Sequence, residues 1–120
     1  MTAFQNITLK LLLLIGILKA DTKEKWENIL QLYNQLLQIE YSPVAALNRT
    51  YALSKANGKE EAIREAEKLN LKDNHFYFVL LGDLYTDLDN EKAREFFSRA
   101  VHLAKTDSDK QIILKRQYKI

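Results

Sequence analysis

Ser42-Pro43-Val44-Ala45-Ala46-Leu47-Asn48-Arg49-Thr50-Tyr51-Ala52-Leu53 is the stretch whose reading decides the fold. It holds the single proline of the chain, set behind a serine. A serine at this place accepts a hydrogen bond from a free N–H of the first helical turn, and proline fits the first helical position because its missing N–H costs nothing there. A helix therefore starts at Ser42-Pro43 and runs to about Asn57-Gly58, where glycine permits a left-handed stop. Val44, Leu47, Tyr51 and Ala52 are expected on one face at helical spacing. The small residues Ala45, Ala46 and Ala52 would let neighbouring helices approach closely.

Working outward, the flanks also read as helix. Towards the amino terminus, Asp21 or Thr22 caps a helix whose apolar stripe is Trp26, Ile29, Leu30, Tyr33, Leu36, Leu37 and Ile39. Glu24 sits at capping-box distance from Asp21. Earlier still, Leu11 to Ile15 with Ile17 and Leu18 form an apolar run that is too short for a membrane span, which needs ~20 such residues. The expectation is a buried first helix. The rival is a secretory signal peptide, with Lys10 as its basic region and Ala20 before the cleavage site. Bulky Leu18 and charged Lys19 speak against it.

Towards the carboxyl terminus, the helix after Gly58 turns Ala62, Ile63, Ala66 and Leu69 inward, and its mixed charges face water. Asn70 to Asn74 is a polar connection. A helix from His75 to about Leu88 follows. Asp89-Asn90 opens another, with Ala93, Phe96, Phe97, Ala100, Val101 and Leu103 inward. Thr106 and Asp109 open the last one, with Ile112, Ile113, Leu114 and Tyr118 expected inward. Seven helices on short turns describe antiparallel hairpins.

The totals agree. At 120 residues, with 47% hydrophobic and 28% charged residues, the chain is globular and is expected to form one domain over 1–120. One proline and three glycines leave little punctuation for β structure. Eighteen basic against sixteen acidic residues give a net charge of +2, which does not announce a nucleic-acid binder. With no cysteine there is no disulfide, no thiolate metal site and no cysteine nucleophile.

The hairpins repeat. Leu81-Gly82 and Tyr85, followed by Ala93, Phe97 and Ala100, match the tetratricopeptide pattern. The turn is one residue short of that pattern, and Lys105 stands where its closing proline belongs. The preceding unit reads Leu47-Asn48 and Tyr51, then Ala62 and Ala66; residues 4–41 form a more diverged third unit. The fold class is therefore all-α, a tetratricopeptide-like stack of about three hairpins plus a C-terminal helix.

Trp26-x-x-Ile29-x-x-Leu32-Tyr33-x-x-Leu36-Leu37, then Ser42-Pro43-Val44-x-Ala46-Leu47-Asn48-Arg49, resembles the C-terminal extension of one group of extracytoplasmic-function sigma factors. In that group a tetratricopeptide-like domain follows the domains that bind core polymerase and promoter. Glu91-Lys92-Ala93-Arg94, Arg99-Ala100 and Leu103-Ala104 continue the likeness, which covers roughly residues 26–118. The resemblance implies a non-catalytic, cytoplasmic module in bacterial transcription initiation. Its partners would be the sigma-factor domains, RNA polymerase or a regulator. DNA would be reached only through sigma domains absent from this sequence, and no membrane or cofactor is implied. Met1 would then open either an excised domain or a free-standing relative. The alternative is a free-standing tetratricopeptide scaffold that binds a peptide or protein.

Chemistry-bearing patterns are sparse. His75 and His102 lie on different helices with no second ligand at metal spacing, and His75 is expected at the surface. Asp83 and Asp87 are one turn apart, which reads as a solvated face. The glycines are isolated, so no phosphate loop is formed. Repeat geometry puts the first helix of each hairpin along a groove, which makes Asn48, Arg49, Asp83, Thr86 and Asp87 a candidate partner groove. Asn48 and Arg49 have an equally good reading as bonds between helices. The lysine and asparagine positions of carboxylate-clamping relatives hold Ala45, Arg49, Val79 and Asp83 here, so that clamp does not transfer. Lys110, Lys115, Arg116 and Lys119 make the last helix basic. They are a candidate contact for nucleic acid or polymerase, or cations that complement the helix dipole.

Overall fold

In the computed structural model, the described residues are Thr2, Ala3, Gln5, Ile7 and residues 22–120. The expected apolar helix over Leu11–Leu18, the signal-peptide alternative and the Asp21 cap fall outside them. Six helices lie among the described residues: α1 (Lys23–Ile39), α2 (Pro43–Asn57), α3 (Lys59–Leu69), α4 (His75–Tyr85), α5 (Asn90–Leu103) and α6 (Asp107–Tyr118). The fold is all-α, and consecutive helices pack as pairs: α1 on α2, α4 on α5, and α5 on α6. Contacts divide the chain into two compact units, Met1–Ala62 and Ile63–Ile120. Each has its own interior.

The helix starts follow from local hydrogen bonding. Thr22, Ser42, Asp89 and Thr106 each accept, through a side-chain oxygen, from the backbone N–H three residues on. Asn74 does the same for Phe76. Each satisfies one of the donors that a helix leaves free at its start. Pro43 stands in the first turn of α2, as its position behind Ser42 demands. The stop at Gly58 has the positive φ expected, +101°, but with ψ 162° it is extended rather than left-handed helical. α4 ends at Tyr85, three residues before the sequence suggested. The Thr86 N–H and hydroxyl both bond the Gly82 carbonyl, and Asp87 takes a left-handed φ of 70°.

In the first unit, Ile7, Ile29, Tyr33, Leu36, Ala45 and Ala52 form one buried cluster. Trp26, Leu30, Leu32 and Leu37 pack partly against it. α2 is buried on more than one side, through Ala45, Ala46, Leu47, Thr50, Ala52, Leu53 and Ala56. That corrects the expected face: Val44 is 59% exposed, and Tyr51 lies at the edge, where its ring meets Trp26 side-on. Small residues mark most of the enclosed positions of α2, with Leu47 and Leu53 buried beside them. Buried Thr50 returns its hydroxyl to the Ala46 carbonyl, so it leaves no donor unpaired. Ile39, expected inward on α1, is exposed.

In the second unit, Phe97, Leu81 and Leu84 are almost wholly buried beside Ala93 and Ala100. α4 and α5 cross closely at Gly82. A Cβ placed there would come within 2.6 Å of the Phe97 ring. The Leu-Gly…Ala…Phe…Ala pattern thus acts through contact, with glycine making room for the ring that fills the pair. On α6 only Ile113 is buried, whereas Ile112 and Tyr118, both expected inward, are exposed.

Candidate functional site

Asn48 and Arg49 lie on α2, next to the α1 face that carries Tyr33 and Asn34. The Arg49 Nε donates to Asn34 Oδ1. The Asn48 side chain is hydrogen-bonded to Tyr33, whose phenol pKa is raised by burial and partly lowered again by that bond. Both candidate groove residues of the first unit are therefore bonded to the neighbouring helix. These bonds join positions fifteen residues apart, so no local spacing rule could have found them.

Asp83, Thr86 and Asp87 belong to the second unit. Asp83 projects from α4 and accepts from Arg116 of α6, forming an ion pair in which both side chains stay partly exposed. The hydroxyl of Thr86 is taken up by the Gly82 carbonyl at 2.7 Å. Asp87 is exposed in the turn after α4, and its backbone N–H donates to Asn90 Oδ1 at 2.8 Å. Asp83 and Asp87 are thus separated in role: one ties helices together, the other shapes a turn.

The four cations of α6 also divide. At ~100° per residue, Lys115, Arg116 and Lys119 share one side of the helix with Ile112, and Lys110 lies roughly 160° from Ile112. Arg116 is engaged by Asp83, whereas among the described residues no carboxylate lies within ion-pair distance of Lys115 or Lys119. α6 is held on α5 by polar contacts as well as by Ile113. The Gln117 amide donates to Ser98 Oγ at 3.0 Å and to the Arg94 carbonyl at 3.3 Å. Arg94 in turn donates to the Ile120 carbonyl.

Sequence reasoning missed a cleft between α4 and α6. It encloses about 160 Å³ and is lined by His75, Phe76, Val79, Asp109, Ile112, Ile113 and Arg116. Its walls are mainly apolar, and Phe76 and Ile112 stand more than half exposed at its mouth. His75, expected at the surface, is largely buried here, with its side chain 16% exposed. Its Nε2 has no hydrogen-bond partner and lies 4.0 Å from Asp109 Oδ2. No spacing in the sequence links His75 to Asp109, thirty-four residues on; only the packing of α4 and α6 brings them together.

On the other flank of α4, Phe78, Phe96 and Tyr85 form a stacked ladder. The Arg99 guanidinium lies over Phe78 and Phe96, and the Lys92 ammonium over Tyr85. The Tyr85 hydroxyl donates to Glu67 Oε1 at 2.8 Å. Burial, that hydrogen bond and the nearby negative charge push the Tyr85 pKa up to about 12. Among the described residues no group of three or more His, Cys, Asp or Glu side chains is placed to hold a metal ion. No described helix is long and apolar enough to cross a membrane.

Comparison with known proteins adds one relative. No family model matches the chain, and no solved structure matches it significantly. An uncharacterised protein of Rhizobium meliloti (strain 1021) is 39% identical over 87 residues, which cover 70% of this chain. The chain spans about a fifth of that relative's length, 21%, so the likeness is to one segment of a much longer protein.

Proposed function

We propose that the chain is a non-catalytic protein-interaction module of a longer bacterial protein of the extracytoplasmic-function sigma-factor kind, acting in the cytoplasm during transcription initiation. The observation that carries this reading is the Ser-Pro-Val-x-Ala-Leu-Asn-Arg string over 42–49. Its members start α2, enclose it through Ala46 and Leu47, and tie it to α1 through Asn48 and Arg49. A segment-sized match within a longer relative is in keeping with a module attached to other domains. On this reading the module supplies a firm helical surface for the sigma domains, polymerase or a regulator, and promoter contact is left to the other domains.

The test is promoter-directed transcription by the full-length protein with and without this segment, together with DNA retention by the segment alone. The expected result is altered transcription and weak retention of random duplex at physiological salt. Strong retention, lost on neutralising Lys110, Lys115, Arg116 and Lys119, would make it a DNA-binding domain. Unchanged transcription would remove the regulatory role. The reading frame upstream of Met1 gives a cheaper check, since the proposal requires helix-turn-helix coding sequence there.

A further inference from the structure

We infer that Asn57 is a site of spontaneous covalent modification: its side chain closes on the Gly58 nitrogen to an imide, which reopens as aspartate or isoaspartate. The last turn of α2 gates the step. The inference goes beyond the protein-interaction reading and does not depend on it. The substrate is the chain itself, and the co-reactant is water.

Three observations meet at this joint between α2 and α3. The first is sequence. Of eight asparagines only Asn57 precedes a glycine; the others are followed by Ile, Gln, Arg, Leu, His or Glu. A Cβ on the following residue crowds the approach of its nitrogen to the asparagine Cγ, and glycine has none. The second is access. Asn57 and Gly58 are both exposed, and apart from the chain neighbours no atom lies within 4 Å of where a Gly58 Cβ would stand. The third is restraint. α2 runs through Asn57, and the Gly58 N–H donates to the Ser54 carbonyl at 3.0 Å. While that bond stands, the attacking nitrogen keeps its proton and is held along the helix axis. Helix ends open at little cost, so fraying lifts the gate.

Each step balances. When the turn opens, the Gly58 nitrogen loses its proton to hydroxide and attacks the Asn57 Cγ. A C–N bond forms, the bond from Cγ to Nδ2 breaks, and Nδ2 takes a proton from water and leaves as ammonia. Water then adds to either carbonyl of the imide, giving aspartate from one side and isoaspartate from the other. Nothing is oxidised or reduced. The product replaces a neutral amide with a carboxylate, beside the carbonyls that already make the end of α2 electronegative. Isoaspartate also lengthens the backbone by one methylene between α2 and α3.

The experiment holds the whole chain at mildly alkaline pH and follows all eight asparagines by mass mapping of its peptides, with isoaspartate read by enzymatic methylation. Asn57 is expected to convert before any other. Unfolding the chain in guanidinium chloride should speed that conversion about two- to tenfold, the weight of one backbone hydrogen bond. Asn57→Gln should remove the fast component, because the longer side chain closes a larger ring more slowly. Unchanged far-UV circular dichroism verifies that this variant folds. An Asn57 that stays intact in the folded chain would overturn the site, and so would another asparagine converting first. Equal rates in the folded and unfolded chain would overturn the gate at Ser54.

Discussion

Gly82 and Gly58 are required for different reasons, and substitution separates them. At Gly82 the backbone is ordinary helix, where alanine would gain about 1 kcal/mol in propensity. Against that gain stands a Cβ 2.6 Å from the ring of Phe97, which is 1% exposed and has nowhere to go. Overpacking of a filled core costs ~1–3 kcal/mol, so Gly82→Ala should destabilise, seen as a lower urea midpoint. Combining it with Phe97→Leu should cost less than the sum of the two single changes, because the smaller side chain vacates the clash. At Gly58 there is open space but a φ of +101° with extended ψ, a region almost confined to glycine. Gly58→Ala should therefore cost ~1–3 kcal/mol. Asparagine should not rescue it, since asparagine favours the left-handed helical region and not this one.

Tyr85 belongs to the same scale. Its folded pKa, about 12, lies above the unfolded value near 10, so the folded state holds its proton more tightly. The stability this contributes is complete below pH ~10 and is lost as pH rises from there towards 12. Ultraviolet titration of tyrosinate should show one component near 12 that disappears in Tyr85→Phe. Glu67→Gln should move that component down, because the carboxylate supplies both the hydrogen bond and the opposing charge.

At the scale of the element, α6 is the helix least secured by apolar burial, with Ile113 its one buried side chain. Gln117 and Arg116 add polar ties, and a partly exposed ion pair contributes only ~0–1 kcal/mol. Ile113→Ala removes the anchor, at about 2–5 kcal/mol. Hydrogen exchange should then show α6 amides losing protection before those of α4 and α5, whereas Asp83→Asn should change α6 protection little. What the sequence made legible at this scale was whatever is local. Thr22, Ser42, Asp89 and Thr106 cap as their spacing implies, because a cap is settled within one turn. The Gly82–Phe97 contact was legible through the repeat. The inward face of α2 was misjudged at Val44 and Tyr51, because a helix enclosed on several sides has no single apolar stripe. The candidate groove was legible as residues but not as pairings. Arg116 with Asp83, and Arg49 with Asn34, are tertiary facts that charge patterning along one helix does not contain. The cleft was missed for the same reason, since its walls come from helices that the intervening α5 separates in the chain.

At the scale of the whole molecule, the two compact units offer a direct test of cooperativity. The single tryptophan, Trp26, packs on the cluster around Ile29 and so reports on the first unit. Far-UV circular dichroism reports on helix in both. The interior of the second unit is built on Phe97, Leu81 and Leu84, none of which belongs to the Ile29 cluster. Chains of helical hairpins are stabilised by each unit's own packing plus a term from its neighbour, so weakening one unit enough lets it unfold alone. In the native sequence the two probes should therefore give nearly coincident urea transitions. In Gly82→Ala the dichroism transition should move to lower urea and broaden, and Trp26 fluorescence should keep its midpoint more nearly than the dichroism does. The reciprocal change, Ile29→Ala, removes a residue that is 1% exposed and should displace the fluorescence transition first. Transitions that stayed coincident in both variants would mean that the neighbour term exceeds either unit's own stability. The chain would then unfold as one cooperative body.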